Sequence, residues 1–220
     1  MESVTGNEAR GALPKGLGDA IRDTAGEIAA LVRGSADTGV PVPGSEWTVG
    51  EAAAHLAQAN TLMADLAAGH ERSHGDGTPQ SLAAANARAL AEFTERGADP
   101  LAGLIEEQAD AFLMAAQSAG ESILVTPLGP MSLAELGSYL LTHMLGHGYD
   151  LARALSSPHM INHVRVELTL PFLIAAMPRV NDAAVTTGLT ASYTIRLRGG
   201  DHFGVTFTNG AVAVSPQPPN

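Results

Sequence analysis

Two histidines, His143 and His147, lie four residues apart within the apolar segment Leu140–Asp150. Side chains at this spacing project from one face of an α-helix, one turn apart, and their ring nitrogens can bind one metal ion. The competing interpretation is a pair of buried neutral histidines that hydrogen-bond to backbone or water. Because burial removes the hydration of both imidazoles, a shared ion would satisfy both rings at once. The pattern favours a metal site if a third ligand comes from elsewhere.

His55 is the candidate for this third ligand. It lies about two helical turns beyond a strong helix start at Thr48, on a stripe whose small neighbours leave room beside the imidazole. In a helical bundle it could face the turns that carry the histidine pair. Taken alone, His55 is better explained as a core histidine.

Two further histidine pairs have the same spacing. His70 and His74 fall in the glycine-rich segment 69–79, where nothing fixes their geometry, so we interpret them as solvated surface residues. His159 and His163 flank the start of a later helix, and we expect a structural or surface role. Spacing alone therefore does not identify a metal site, and the apolar surroundings of the first pair carry the prediction.

Several residues near the candidate ligands have both structural and functional interpretations. Asp150, three residues after His147, could hydrogen-bond a ligand imidazole, although a helix-face or capping carboxylate explains it equally well. Gly146 and Gly148 each weaken a helix by about 1 kcal/mol, which indicates close approach of another helix or a ligand, with packing preferred. Trp47 is interpreted as a core or staple residue rather than a substrate contact.

Apolar periodicity and helix-start signals place these residues on helices. Thr48 with Glu51, and Ser132 with Glu135, have the spacing of capping boxes. A later helical segment contains Pro171, which predicts a kink or a fresh helix start. The predicted helices span 17–32, 48–69, 80–96, 100–118, 132–155 and 160–178.

The remaining segments predict loops and a small strand-rich unit. Residues 123–131 are interpreted as a connector because two prolines prevent helix there. Beyond Gly188 the apolar period becomes two, which predicts three short antiparallel strands packed on the preceding helix, with a hairpin turn at Asn209–Gly210. Residues 1–13 are expected to be loose, and 216–220 to be disordered or a linker.

Composition limits the classes of function. The formal net charge of -11, with twelve scattered Lys and Arg, disfavours nucleic acid as a partner. The start of the sequence has no leader pattern, and no apolar run approaches the ~18 residues that span a bilayer, so we expect a soluble, cytoplasmic protein with no membrane partner. The chain has no cysteine, so any thiol chemistry would use a small-molecule thiol.

Three segments carry a resemblance to a known family, and they are Trp47–His55, Thr126–Ser132 and His143–Asp150. In this order they resemble segments of the DinB-like metalloenzymes of the mycothiol-dependent maleylpyruvate isomerase family. The resemblance covers roughly residues 14–156. It implies a mainly α fold in which this segment forms a four-helix-type bundle.

The resemblance also implies a ligand set and a cosubstrate. His55, His143 and His147 would bind a divalent metal, usually zinc, and mycothiol would be the thiol cosubstrate. The isomerase itself has a glutamate at the position of His143, whereas broader DinB-like relatives carry three histidines. Three neutral ligands leave the site one charge more positive, which should lower the pKa of a bound thiol or water further.

Residues 160–215 resemble the start of the sterol-carrier-like C-terminal domain of the same proteins. That domain normally continues for several more elements, so we expect either a reduced domain or a shortened chain. The predicted architecture is a DinB-like helical bundle over 14–156, followed by a small α+β unit made of a helix and short antiparallel strands.

Together these features predict a metal-dependent enzyme that uses a mycothiol-like thiol for S-transfer or isomerisation of a small electrophilic substrate. The thiolate would occupy an open fourth position on the metal. One alternative is a non-catalytic metal-containing carrier whose strand-rich tail helps to bind an apolar molecule. Another is a metal-dependent hydrolase that uses bound water. No Asp or Glu has a spacing that marks it as an acid–base partner, and the oligomeric state stays open.

Overall fold

A computed structural model describes most of the chain, in two compact units that span residues 1–169 and 170–220. Residues 1–12 of the predicted loose N-terminus lie outside the described residues. Residues 218–220 of the predicted tail also lie outside them. The described ranges are 13–72, 74–76, 78–120, 123–197 and 200–217.

The first unit is a four-helix-type bundle with a short hairpin. Helix α1 packs against α4 and α5, and α2 packs against the same two helices. This arrangement confirms the predicted mainly α fold. The elements are α1 (Leu17–Arg33), α2 (Val49–Ala67), α3 (Pro79–Glu92), α4 (Ala98–Ser118), the hairpin of β1 (Leu124–Thr126) and β2 (Gly129–Met131), α5 (Leu133–Ala154) and the first part of α6 (His163–Val180).

Both predicted capping boxes are present and fix the starts of α2 and α5. The Glu51 amide donates to Thr48 Oγ1 at 3.3 Å, and the Thr48 amide donates to the Glu51 carboxylate at 2.8 Å. Ser132 and Glu135 make the same reciprocal pair at 3.2 and 2.8 Å. Since each box satisfies two amides of the first turn, it determines where that helix begins. It thereby determines where the histidines further along each helix lie in the bundle.

Helix α3 ends at Glu92, four residues before the predicted end at Arg96. Phe93 is already extended, with φ -88° and ψ 108°. The Arg96 guanidinium turns back and donates to the carbonyls of Leu90 and Phe93 at 3.1 and 2.5 Å. Because helix ends leave carbonyls without intrahelical partners, this side chain stabilises the early termination.

The predicted connector at 123–131 contains a two-stranded hairpin. Leu124 pairs with Met131, and Thr126 pairs with Gly129, whose φ is 93°. Thr126 Oγ1 donates to the Gly129 carbonyl at 2.7 Å and accepts from the Leu128 amide at 3.2 Å. The prolines do prevent helix, but strands of three residues are too short to give a period-two signal.

Helix α6 runs through Pro171 and Pro178 without interruption. The Glu167 carbonyl, which the Pro171 nitrogen leaves without its helical partner, belongs to an exposed residue that water can reach. Asn162 precedes the helix, and its side chain accepts from the Arg165 amide at 3.0 Å. Of the two alternatives predicted for Pro171, the fresh helix start is wrong because the helix is continuous there, and the kink stays a prediction.

The second unit holds the rest of α6, the short helix α7 (Ala183–Thr186) and one antiparallel sheet of three strands. The order is β3 (Thr190–Arg196), β4 (His202–Thr208), β5 (Ala211–Gln217). Asn209 and Gly210 join β4 to β5 with φ of 45° and 89°, as a type I′ hairpin requires. The predicted strands and their turn are confirmed. The prediction of a disordered tail or linker is wrong for Pro216 and Gln217, since both belong to the edge strand β5.

The two glycines beside the histidines of α5 should respond oppositely to alanine. A Cβ at Gly146 would meet no atom within 4 Å, whereas a Cβ at Gly148 would lie 2.6 Å from Met160 Sδ and 3.1 Å from Ile28 Cδ1. We expect Gly146→Ala to raise the free energy of unfolding by about 1 kcal/mol through helix propensity. Gly148→Ala should lower it by about 1–2 kcal/mol through overpacking.

Urea unfolding of both variants checks this pair, each serving as the control for the other. Equal effects of the two substitutions would contradict the close packing at Gly148.

Candidate metal centre

His55 of α2 and His143 and His147 of α5 form one cluster. One ring nitrogen from each lies within 4.8 Å of the others, and the ring centroids are 4.5–5.1 Å apart. Within the described part of the chain, this is the one group of three or more His, Asp or Glu side chains close enough to hold a metal ion. The structure therefore brings together the three residues that were predicted as metal ligands from the sequence.

One nitrogen pair of the cluster has the spacing of two ligands on a small divalent ion. Ligand nitrogens of a tetrahedral zinc site, each at about 2.0–2.1 Å from the ion, lie about 3.3 Å from one another. The Nε2 atoms of His55 and His143 are 3.1 Å apart. If this contact is a direct hydrogen bond, it satisfies one nitrogen of each ring, and His143 Nδ1 is still buried without a partner among the described residues. An incomplete internal network is what a bound ion or ligand would complete.

Small side chains make room for His55 inside the bundle. Its side chain is almost fully buried, with 6% of the residue exposed. Ala52, Ala53 and Ala54 precede it and are also buried. Because alanine contributes little bulk beyond its backbone, α2 can approach its neighbours closely and still accommodate an imidazole.

Burial keeps the three imidazoles neutral. Desolvation, followed by the charges of His147 and His74, lowers the pKa of His55 to about 4. Desolvation, followed by the charges of His147 and His55, holds the pKa of His143 well below its ordinary value. Burial also lowers the pKa of His147, against the opposing charge of Asp150. Neutral rings at pH 7 offer the lone pairs that a metal needs.

Asp150 and Trp47 border the cluster. His147 Nδ1 lies 3.7 Å from Asp150 Oδ2, which is too long for a hydrogen bond but close enough for electrostatic attraction. The Trp47 ring lies 4.8 Å from the His55 ring and 5.9 Å from the His147 ring. Trp47 also packs against the hydrophobic core, which agrees with the preferred interpretation of this residue. The Asp150 carboxylate attracts a hydrogen on His147 Nδ1. It therefore favours the tautomer in which the lone pair of Nε2 is available to an ion.

Replacing Asp150 with asparagine should weaken metal binding by about tenfold, because residues behind the ligands typically affect affinity by this order. Competition between the protein and a chelator of known affinity measures the change. Glu167→Gln is the matched control, since Glu167 lies 3.4 Å from His163 Nε2, away from the cluster. Equal affinities for wild type and Asp150→Asn would show that Asp150 contributes only to the helix surface.

A partly enclosed cavity reaches two of the three histidines. His55 and His143 are among its lining residues, with apolar side chains such as Leu62, Met63 and Leu66 around them. It offers about 40 Å³ to the centres of water-sized molecules, which is room for a few waters or a small ligand group. The cluster is thus accessible from the side of α2 that faces this cavity.

The cavity also contains residues that the sequence analysis did not connect with the site. His74 was interpreted as a solvated loop residue, but it is half-buried, lines the cavity and lies 2.7 Å from Asn86 Oδ1. Gln58 and Tyr139 line the same cavity. Their spacing was a usable signal, since they stand three residues after His55 and four before His143, on the same helix faces. For His74 the chain offered no such signal, because a long-range contact positions it.

Three histidines outside the cavity, His70, His159 and His163, lie at the surface, as predicted. His70 Nδ1 lies 3.2 Å from Asp65, with 67% of its side chain exposed. His159 is exposed beside the Tyr149 ring, and His163 pairs with a carboxylate on the surface of α6. Among the described residues, no helix is long and apolar enough to cross a lipid bilayer.

Comparison with known proteins gives one family match. A family model described as the mycothiol maleylpyruvate isomerase N-terminal domain matches residues 17–152, which is more than half of the chain. No curated protein and no solved structure matches the chain. The matched segment contains all three clustered histidines.

Proposed function

Because the chain belongs to the family of the mycothiol maleylpyruvate isomerase N-terminal domain, we propose that it is a metal-dependent enzyme that uses a mycothiol-like thiol. The reaction is S-transfer to a small electrophile or its isomerisation through thiol addition. The observation that carries this proposal is the group of three histidine nitrogens within 4.8 Å of one another, two of whose residues line a cavity. We assign the metal-binding domain to 14–156 and a small C-terminal unit to 160–215.

In this proposal His55, His143 and His147 hold a divalent ion, most simply zinc. Three nitrogen ligands from helices, with no cysteine in the chain, match catalytic rather than structural zinc sites, which are usually closed by four protein ligands. When bound, such an ion lowers the pKa of a thiol or a water beside it. The neutral imidazoles leave the full charge of the ion available for this effect.

The cavity favours an enzyme over a carrier with a purely structural ion. A structural site is enclosed by its ligands, whereas His55 and His143 border space that a ligand group can enter. The apolar lining around them would hold the carbon skeleton of a small electrophile and exclude bulk water. Exclusion of water favours attack by sulfur over hydrolysis.

The first test of this function is metal analysis of the purified protein, followed by turnover. We expect about one zinc ion per chain, and consumption of an unsaturated ketone that requires both the metal and an added thiol. His147→Ala should lose the metal and the activity together. His159→Ala, which alters an exposed histidine outside the cluster, should keep both.

The outcomes separate the candidate functions. Protein without stoichiometric metal, or His55→Ala with unchanged metal content, would overturn the site. Metal-dependent ester hydrolysis without any thiol requirement would favour a hydrolase. Stoichiometric metal with neither activity would favour the carrier.

A further inference from the structure

The cavity contains a titratable residue that the metal centre does not use. Among the described residues that line it, none is Asp, Glu, Lys or Arg, and the titratable ones are His55, His143, His74 and Tyr139. The first two belong to the proposed ligand set. Burial raises the pKa of Tyr139, so its phenol stays protonated at neutral pH. His74 is therefore the one remaining imidazole of the described lining, and imidazole is the side chain that most often exchanges protons in enzymes.

Asn86 orients the His74 ring. The distance from His74 Nε2 to Asn86 Oδ1 is 2.7 Å, and because a carbonyl oxygen can only accept, Nε2 carries the hydrogen. A neutral imidazole has a single N–H, so Nδ1 holds the lone pair. A base whose tautomer is fixed by a third group is the arrangement that activates nucleophiles in proteins.

The position of His74 fits the same reaction space as the metal centre. His74, His55 and His143 line one cavity, and the charge of His74 is near enough to lower the pKa of His55. A thiol that enters the cavity and places sulfur beside the ligand histidines has to give up its proton. Among the described lining residues outside the proposed ligand set, His74 is the one with a basic nitrogen that could take this proton.

We propose that His74, oriented by Asn86, is the proton-transfer residue of this site. The inference rests on the proposed function. The thiol RSH gives its proton to His74 Nδ1, which leaves a thiolate and an imidazolium. When the sulfur forms a C–S bond to an unsaturated ketone, the electron pair of the C=C bond moves to the α-carbon. That carbon takes the proton back, His74 returns to the neutral form, and the sum is addition of RSH across the double bond.

Proton counting during thiol binding tests the proposal without turnover. Calorimetry of mercaptoethanol binding to the zinc-loaded protein, in buffers of different ionisation enthalpy, gives the number of protons released to solvent. In wild type the proton stays on His74, so release should be close to zero at neutral pH. In His74→Gln it should approach one proton per thiol, because the acceptor is gone.

The kinetic expectation is separate from binding. His74→Gln should lower kcat for thiol addition by roughly a hundredfold or more, in the range of general acid–base catalysis, with little change in KM. Added imidazole should restore part of the rate in His74→Gly, which a merely structural role would not allow. Asn86→Ala, which removes the orienting contact, should lie between wild type and His74→Gln.

His70→Gln is the matched control, because it changes a histidine of the same loop that bonds to Asp65 rather than lining the cavity. His70→Gln should show the same proton release on thiol binding and the same kcat as wild type. Release of one proton by both wild type and His74→Gln, or full activity of His74→Gln, would overturn the role of His74 and leave the proposed function standing. Absence of thiol binding to every zinc-loaded variant would instead contradict the proposed function.

Discussion

Zinc is expected to raise the free energy of unfolding of the metal-free protein by several kcal/mol, and His143→Ala should remove most of this increment. An ion that binds only the folded chain stabilises it by about 4.1 kcal/mol at a free concentration a thousandfold above Kd. The three clustered nitrogens come from two helices, so the complete site exists only when α2 and α5 are packed together. Urea unfolding with zinc, and with a chelator, measures the increment within each protein.

The increment is the difference between the unfolding free energies of one protein with and without zinc. The loss of stability caused by truncating His143 is present in both measurements and therefore cancels. His163→Ala serves as the control, since this histidine is exposed on α6 with 70% of its side chain accessible. It should retain the full zinc increment. An equal increment in wild type and in His143→Ala, or none in wild type, would show that the cluster is not a metal site.

Local signals in the sequence were sufficient to place the clustered histidines. The box at Thr48 and the box at Ser132 define the starts of α2 and α5, and each histidine then follows at a fixed rotation along its helix. The inward direction of His143 and His147 followed from the apolar stripe that they border. These inferences needed only hydrogen bonds within four residues, which is why they could be made before the fold was known.

Contacts between distant residues explain what the sequence analysis missed. His74 lies in a glycine-rich segment whose composition indicates a solvated loop, but it bonds to Asn86 on α3 and lines the cavity. The early end of α3 depends on the return of Arg96 to carbonyls behind it. In both cases the determining partner could have been any of several polar residues. The chain pattern therefore held no information about which one is used.

A neutral histidine rather than a carboxylate at position 143 sets the electrostatics of the proposed centre. A glutamate at this position would add a negative charge in a buried environment and attract protons to the neighbouring imidazoles. With three imidazoles, desolvation is the largest cause that lowers the pKa of His55 and His143, and the charge of His147 lowers both further. The three rings therefore stay neutral at pH 7 unless they bind a cation. In the metal-free protein the folded state resists their protonation, so acid lowers its free energy of unfolding.

Acid should therefore destabilise the metal-free protein between pH 6.5 and about 4, the ordinary and the folded-state pKa of His55. The folded pKa is depressed, so the unfolded chain binds more protons, and stability is full above pH 6.5 and lost as the pH falls through the folded value. At 1.36 kcal/mol per pKa unit, His55 alone accounts for a loss on the order of 3 kcal/mol. His143 adds to it in the same direction. Urea unfolding across this interval, in the presence of a chelator, gives the profile.

Two features separate this effect from ordinary acid unfolding. The carboxylates with lowered pKa, such as Glu27 and Asp65, start from ordinary values of 4.5 and 3.8, so their contribution is lost only in more acidic solution. His55→Gln should make the profile above that range less steep, because glutamine cannot take up a proton while His143 and His147 still can. His163→Gln should leave the profile unchanged. If the free energy of unfolding of wild type stayed constant between pH 6.5 and 4.5, the folded cluster would accept protons as easily as the unfolded chain does. Water would then have to reach His55 and His143 far more freely than their burial allows.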